Sequence, residues 1–220
     1  MEIKNTKQAA QHGVKCLVYG QSGAGKTRLC STVEAPLIIS AEAGLLSLRD
    51  HDLPYVEVNS IDELREVYSF VTSSKEADQF NWIMLDSISE IAEVVLAAEK
   101  AKSRDPRKAY GELQDQMTSL MRSFRDLPRN VYMSAKCERV QDESGALMFQ
   151  PSMPGNKLAQ QIPYLFDEVF ALRVHKNEDG TISRALQTAS DGSYTAKDRS
   201  GALETYESAD LGAIYRKIRG

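Results

Sequence analysis

The chain has 220 residues, of which 42% are hydrophobic and 26% charged, and carries a formal net charge of −4. This is enough for one α/β domain with a full core. No apolar run approaches the ~20 residues that cross a bilayer, and the net negative charge argues against a surface coated in positive charge. In chain order, "MEIKNTKQAAQHG" is polar and has no signal-peptide centre. Residues 1–12 therefore read as a short polar segment, residues 13–220 as a single domain, and the location as cytoplasmic with no membrane partner.

"VKCLVY" (Val14–Tyr19) reads as a buried strand, followed by a glycine loop and a helix over about 25–33. "PLIIS" and "YVEVN" are the next strands. Ser60 and Glu63 form an S-x-x-E capping box that opens a helix running toward Ser73. "NWIMLDS" is an apolar strand ending in an acid, and Ile88, Ile91, Val94, Val95 and Ala98 line one face of the helix after it. "KSRDPRKAY", broken by Pro106, reads as a loop. "GELQDQMTSLMRSFRDL" reads as a second amphipathic helix and "NVYMSA" as another strand. Beyond it, "CERVQ" and "ALMFQ" flank "DESG" as a hairpin. A short helix, the strand "DEVFALRVHK", a turn into "TISRALQTA", the loop "SDGSYTAKDRSG" and a closing helix complete the chain. Strands separated by helices imply a parallel sheet, and the late strand run implies an antiparallel extension at one edge.

"GQSGAGKT" matches G-x-x-x-x-G-K-[ST] at every fixed position. Gly20, Gln21, Ser22, Gly23, Ala24 and Gly25 supply backbone amides to a phosphate. Lys26 reaches the β/γ-phosphates and the Thr27 hydroxyl ligates Mg2+. Arg28 opens the following helix, whose N-terminus faces the anion. Asp86, at the end of an apolar strand, is placed to hold the ion's water shell, although an Asp there can also cap the next helix. Glu42, just past strand two in "IISAEAG", belongs to the same carboxyl edge of a parallel sheet. It is the candidate for polarising an attacking water. Cys16, Cys30 and Cys137, like the three histidines, have no metal-ligand spacing. Residues 100–139 hold ten Lys/Arg against five Asp/Glu, which fits a polyanion-binding face or a solvated helix surface equally well.

The order "GQSGAGKT", "IISAEAG", "WIMLDS" resembles the RecA-like ATPase core. "PSMPGNKLAQQIPYLFDEVFAL" and "TAKDRSGAL" are similar to its small phage-type, single-strand-annealing members. The resemblance covers roughly residues 13–205. It implies a RecA-like fold, ATP and Mg2+ as ligands, hydrolysis, and a role in DNA recombination or annealing on single-stranded DNA, with self-association and a single-strand-binding protein as partners. ATP over GTP rests on the resemblance, since there is no N-K-x-D motif. Lys197 and Arg199 give the K-x-R spacing of a finger inserted toward a neighbour's γ-phosphate, worth roughly 10³–10⁵ in rate; a solvated turn has the same composition. The family's DNA-binding segments fall on Lys102, Arg104, Arg107, Lys108 and Tyr110, and on Arg139, Phe149 and Lys157. These are cations for phosphates and aromatics for base stacking. Two departures stand out: there is no clear polymerisation element, and Ser134 and Lys136 stand where the family places a glutamine coupling nucleotide to DNA. Two rival readings remain: a nucleotide-dependent switch or assembly ATPase that never touches DNA, and a small-molecule P-loop kinase with "KSRDPRKAY" as its lid.

Overall fold

The computed structural model describes residues 12–42, 44–141 and 145–220. Most of the polar N-terminal segment, Ala43 of "IISAEAG" and most of the "DESG" turn lie outside them. The strands are β1 (Lys15–Gly20), β2 (Pro36–Ser40), β3 (Tyr55–Glu57), β4 (Trp82–Asp86), β5 (Asn130–Gln141), β6 (Leu147–Ser152), β7 (Glu168–Lys176), β8 (Ile182–Gln187) and β9 (Tyr206–Ser208). The α-helices are α1 (Ile61–Ser73), α2 (Ile88–Lys102), α3 (Pro106–Arg125), α4 (Asn156–Gln161) and α5 (Leu211–Arg219).

These strands form one sheet in the order β3-β2-β4-β5-β1-β7-β8-β9, with β6 paired to β5. From β3 to β7 every neighbour is parallel. The β7–β8 and β8–β9 pairs are antiparallel and form one edge. The α/β fold class, with its parallel centre, antiparallel edge and flanking helices, is the one the sequence implies.

Side chains alternate across the strands and divide the core in two. Leu17, Tyr19, Ile39, Ile83, Leu85 and Met133 face the side covered by α1, α2 and α3. Cys16, Val18, Ile38, Met84, Tyr132 and Phe170 face the other side, under α5 and the short 3-10 helices at Thr27–Thr32 and Leu45–Leu48. Both Cys16 and Cys30 are buried free thiols. Ser60 caps the helix as the sequence implies, its Oγ accepting from Glu63 N at 3.2 Å, while Glu63 Oε2 accepts from Asn59 N at 2.6 Å, one residue before the N-cap.

Four local expectations change. After the phosphate loop the chain forms a six-residue 3-10 helix, not an α-helix over 25–33. Ser31 Oγ and Thr32 Oγ1 donate to the carbonyls of Arg28 and Leu29 at 2.8 and 2.7 Å, giving the backbone an alternative to α-helical pairing. The expected loop at residues 102–110 is largely helical: Asp105 caps Arg107 N at 2.9 Å and Pro106 takes the first helical position. Third, β5 continues past Ala135 through Gln141 to pair with β6, so strand and hairpin are one element. Finally, the loop at 189–201 is tied to the sheet by bridges Phe149–Tyr194 and Val169–Lys197.

Helix α3 is held by Phe124, fully buried and edge-on to Tyr68 at 5.2 Å. Phe124→Ala should lower unfolding free energy in urea by about 3–5 kcal/mol. A loss below about 1 kcal/mol would mean that this helix does not pack as described.

Candidate active site

The loop at Gly20–Thr27 leaves the carboxyl end of β1. Gly23 and Gly25 have φ of +75° and +107°, a backbone region that side chains other than glycine rarely adopt. Two groups missed in the sequence brace this loop. Arg184, from β8, donates Nε to Ala24 O at 2.9 Å, and Tyr132, from β5, donates its hydroxyl to Lys26 O at 2.9 Å. The Lys26 ammonium donates to Gly20 O and Gln21 O at 2.9 and 3.1 Å. Burial lowers its pKa, opposed by the negative charges of Asp86 and Glu42.

Asp86 ends β4, two strands from the loop, and is buried. Its Oδ2 accepts from Thr27 Oγ1 at 2.5 Å, and its Oδ1 accepts from the buried Ser134 hydroxyl. Ser87, rather than Asp86, caps α2: its Oγ accepts from Glu90 N at 3.3 Å while its hydroxyl donates to Glu42 Oε1. Glu42 is exposed at the mouth of the site. Lys136 binds Glu90 Oε2 at 2.6 Å, a contact that raises its pKa. The phosphate loop, Glu42, Asp86 and Lys136 are thus gathered at one edge. Thr27 Oγ1 and Asp86 Oδ2 are hard oxygen donors side by side, and that donor set fits Mg2+.

Residues 12–200 match the family model described as an AAA domain (AAA_24). The chain belongs to this family. As an AAA domain it is a P-loop ATPase-type nucleotide-binding protein, and its sheet is an α/β arrangement with a parallel centre and one antiparallel edge. Among solved structures, a KaiC-like protein of the hyperthermophilic archaeon Pyrococcus horikoshii is similar at 16% identity, over 79% of this chain and 77% of that one, with a TM-score of 0.43. No curated protein matches the chain. Among the described residues no helix is long and apolar enough to cross a membrane.

Of the other predicted residues, only Phe149 adjoins this AAA-domain site, through Tyr194 and the Tyr19 hydroxyl. Lys197 is bridged to β7 and donates to Pro163 O and Phe166 O at 2.8 and 2.5 Å. Arg199 pairs with Asp167 at 3.1 Å and lines a cavity beside Gly13 and Val14, at the amino edge of β1. A six-residue strand is about 20 Å long, which separates Arg199 from the phosphate loop of its own chain, while the Lys197 ammonium is taken up by the two carbonyls. Lys102 pairs with Glu99 at 2.8 Å. Arg104, Arg107, Lys108, Arg139 and Lys157 are exposed. Tyr110 rests against the turn at Gly155, where an added Cβ would lie 3.4 Å from the ring, so the two basic segments adjoin. Phe149 is stacked on Tyr194 at 4.6 Å between ring centres.

Behind the K-x-R segment, Glu168 is buried, and among the described residues its Oε2 has no hydrogen-bond partner. Burial first, then the Asp198 carboxylate, push its pKa up to about 8. An unfolded glutamate ionises near about 4.3. Between these values the folded chain holds a proton that the unfolded chain has lost, so this stabilising contribution is full below the lower value and is lost as pH rises to about 8. Lys15, lowered to about 8 by burial, adds its slope only above that pH. Urea midpoints at pH 5, 6.5 and 8 should fall more for the wild type than for Glu168→Gln. Parallel slopes would exclude a protonated Glu168.

Proposed function

We propose that this AAA domain is a Mg2+-dependent ATPase that acts on single-stranded DNA in phage-type recombination or annealing and completes its site through self-association. The observation that carries the hydrolytic part is the convergence of Lys26, Thr27, Asp86 and Glu42 at one sheet edge. The loop amides and Lys26 hold the triphosphate. Thr27 and Asp86 are the residues that would hold Mg2+, which neutralises charge on the β- and γ-oxygens when bound. Glu42, oriented by Ser87, accepts a proton from water as its oxygen bonds to the γ-phosphorus. The β–γ bridging bond breaks, and ADP leaves with the bridging oxygen.

The DNA reading is supported by the adjoining corner at 102–110 and hairpin base at 155–157, where Arg104, Arg107, Lys108 and Lys157 present exposed cations. The switch or assembly reading is favoured by a different observation: Phe149 and Lys102 are already engaged, by Tyr194 and Glu99. Self-association is supported by the position of Arg199 at the edge opposite the phosphate loop of its own chain, half-exposed although paired with Asp167.

Lys26→Ala should abolish ATP hydrolysis. Glu42→Gln should bind ATP yet turn over about 10²-fold or more slowly, and normal turnover would remove Glu42 from its role. Single-stranded DNA should stimulate hydrolysis, and the stimulation should fade as salt rises, because phosphate contacts release counterions. Hydrolysis indifferent to DNA at low salt selects the switch reading.

A further inference from the structure

We infer that Arg173 is a second cationic contact for the terminal (γ) phosphate, set into the wall of the nucleotide site from β7. This rests on the ATPase reading above. A cavity of about 340 Å3 opens beside the phosphate loop, with Gly20–Ala24 on one side and Leu172, Arg173, Val174 and Tyr194 on the other.

Lys26 fixes which end of a triphosphate lies there. Its ammonium rests on Gly20 O and Gln21 O, and a lysine in this motif serves the β/γ-phosphates. The two residues that anchor the ammonium also line the cavity, so the cavity flanks the terminal-phosphate end. It does so from the side opposite Asp86, because β7 and β5 pair with opposite edges of β1. One flank of the site therefore carries the carboxylates Asp86 and Glu42, and the other carries a guanidinium.

That guanidinium is held in place. It lies over the Tyr194 ring at 3.7 Å, and its Nη1 donates to Gln187 Oε1 at 2.5 Å. Gln187 is fully buried and is fixed in turn by donating to Ala189 O at 2.9 Å. Tyr194 also stacks on Phe149, and the Tyr19 hydroxyl, one residue before the loop, lies 3.0 and 2.9 Å from the carbonyls of Phe149 and Thr195. Among the described residues no carboxylate pairs with Arg173, and of its five N–H donors only those on Nη1 have a partner in the chain. A planar cation fixed by stacking, with most donors unspent and the phosphate loop lining the same cavity, is suited to bidentate recognition of a phosphate.

The test compares affinities for ADP and for a non-cleavable ATP analogue in wild type, Arg173→Gln and Arg173→Lys, with thermal midpoints as the folding control. Loss of a charge-assisted contact to the terminal phosphate should weaken analogue binding by Arg173→Gln about tenfold or more while ADP changes less than about twofold. Arg173→Lys should recover part of that ratio. If Arg173→Gln does not fold, Arg173→Lys alone should still show a reduced analogue-to-ADP preference, because an ammonium lacks the planar fork. An unchanged preference in the folded variants, or equal losses for both nucleotides, overturns the inference. A wild-type chain that binds neither nucleotide overturns the ATPase reading and this one with it; a wild type that binds both isolates the failure to Arg173.

Discussion

The buried carboxylate of Asp86 is the constraint on which the site depends. A carboxylate removed from water is costly unless its oxygens are paired. Here one oxygen takes the Thr27 hydroxyl and the other takes the Ser134 hydroxyl. Those partners come from the loop after β1 and from β5, so satisfying one acid fixes three segments relative to one another. The phosphate loop is itself irregular and has few side chains to pack. Its position over the sheet is set by this carboxylate, by Tyr132 beneath Lys26 O and by Arg184 behind Ala24 O.

Strand β5 supplies more of the site than any other element. Tyr132, Ser134 and Lys136 are two residues apart and share one face, and they reach Lys26 O, Asp86 and Glu90 in turn. The same strand then leaves the core and becomes one arm of the hairpin with β6. The hairpin and the three side chains at Lys26 O, Asp86 and Glu90 therefore share one continuous strand. Where the RecA-like resemblance leads one to expect a glutamine, this strand carries Ser134 and Lys136, which bind Asp86 and Glu90.

Much of this was legible in the sequence because the determining signals are local. The glycines, Lys26, Thr27, Asp86 and Glu42 are each marked by an adjoining apolar strand, and the parallel order of those strands follows from the intervening helices. The errors arose where one pattern supports two structures. Asp105-Pro106 reads as a break or as an N-cap with proline at the first helical turn, and only the packing of Ala109 and Leu113 selects the helix. Thr27–Thr32 has the residues to start an α-helix, yet its hydroxyls turn back on the preceding carbonyls. The apolar run of β5 ends at Ala135 because burial ends there, whereas the strand does not. Arg173, Tyr194 and Phe149 are separated by more than twenty residues at each step, so no local pattern brings them together.

The geometry around Lys26 bears on how a triphosphate would be gripped. Its ammonium is already withdrawn from water, which is why its pKa is lowered, and its protons rest on two neutral carbonyls. A phosphate oxygen that displaces one of those carbonyls brings a full negative charge to a proton whose desolvation has already been incurred in folding. The gain is therefore closer to the charge-assisted value of about 1.5–3 kcal/mol than to the net value of a neutral bond. The ammonium is half-buried, and the charges of Asp86 and Glu42 oppose the lowering of its pKa by burial. The six-residue 3-10 helix behind it has too few aligned peptides to contribute much through its dipole.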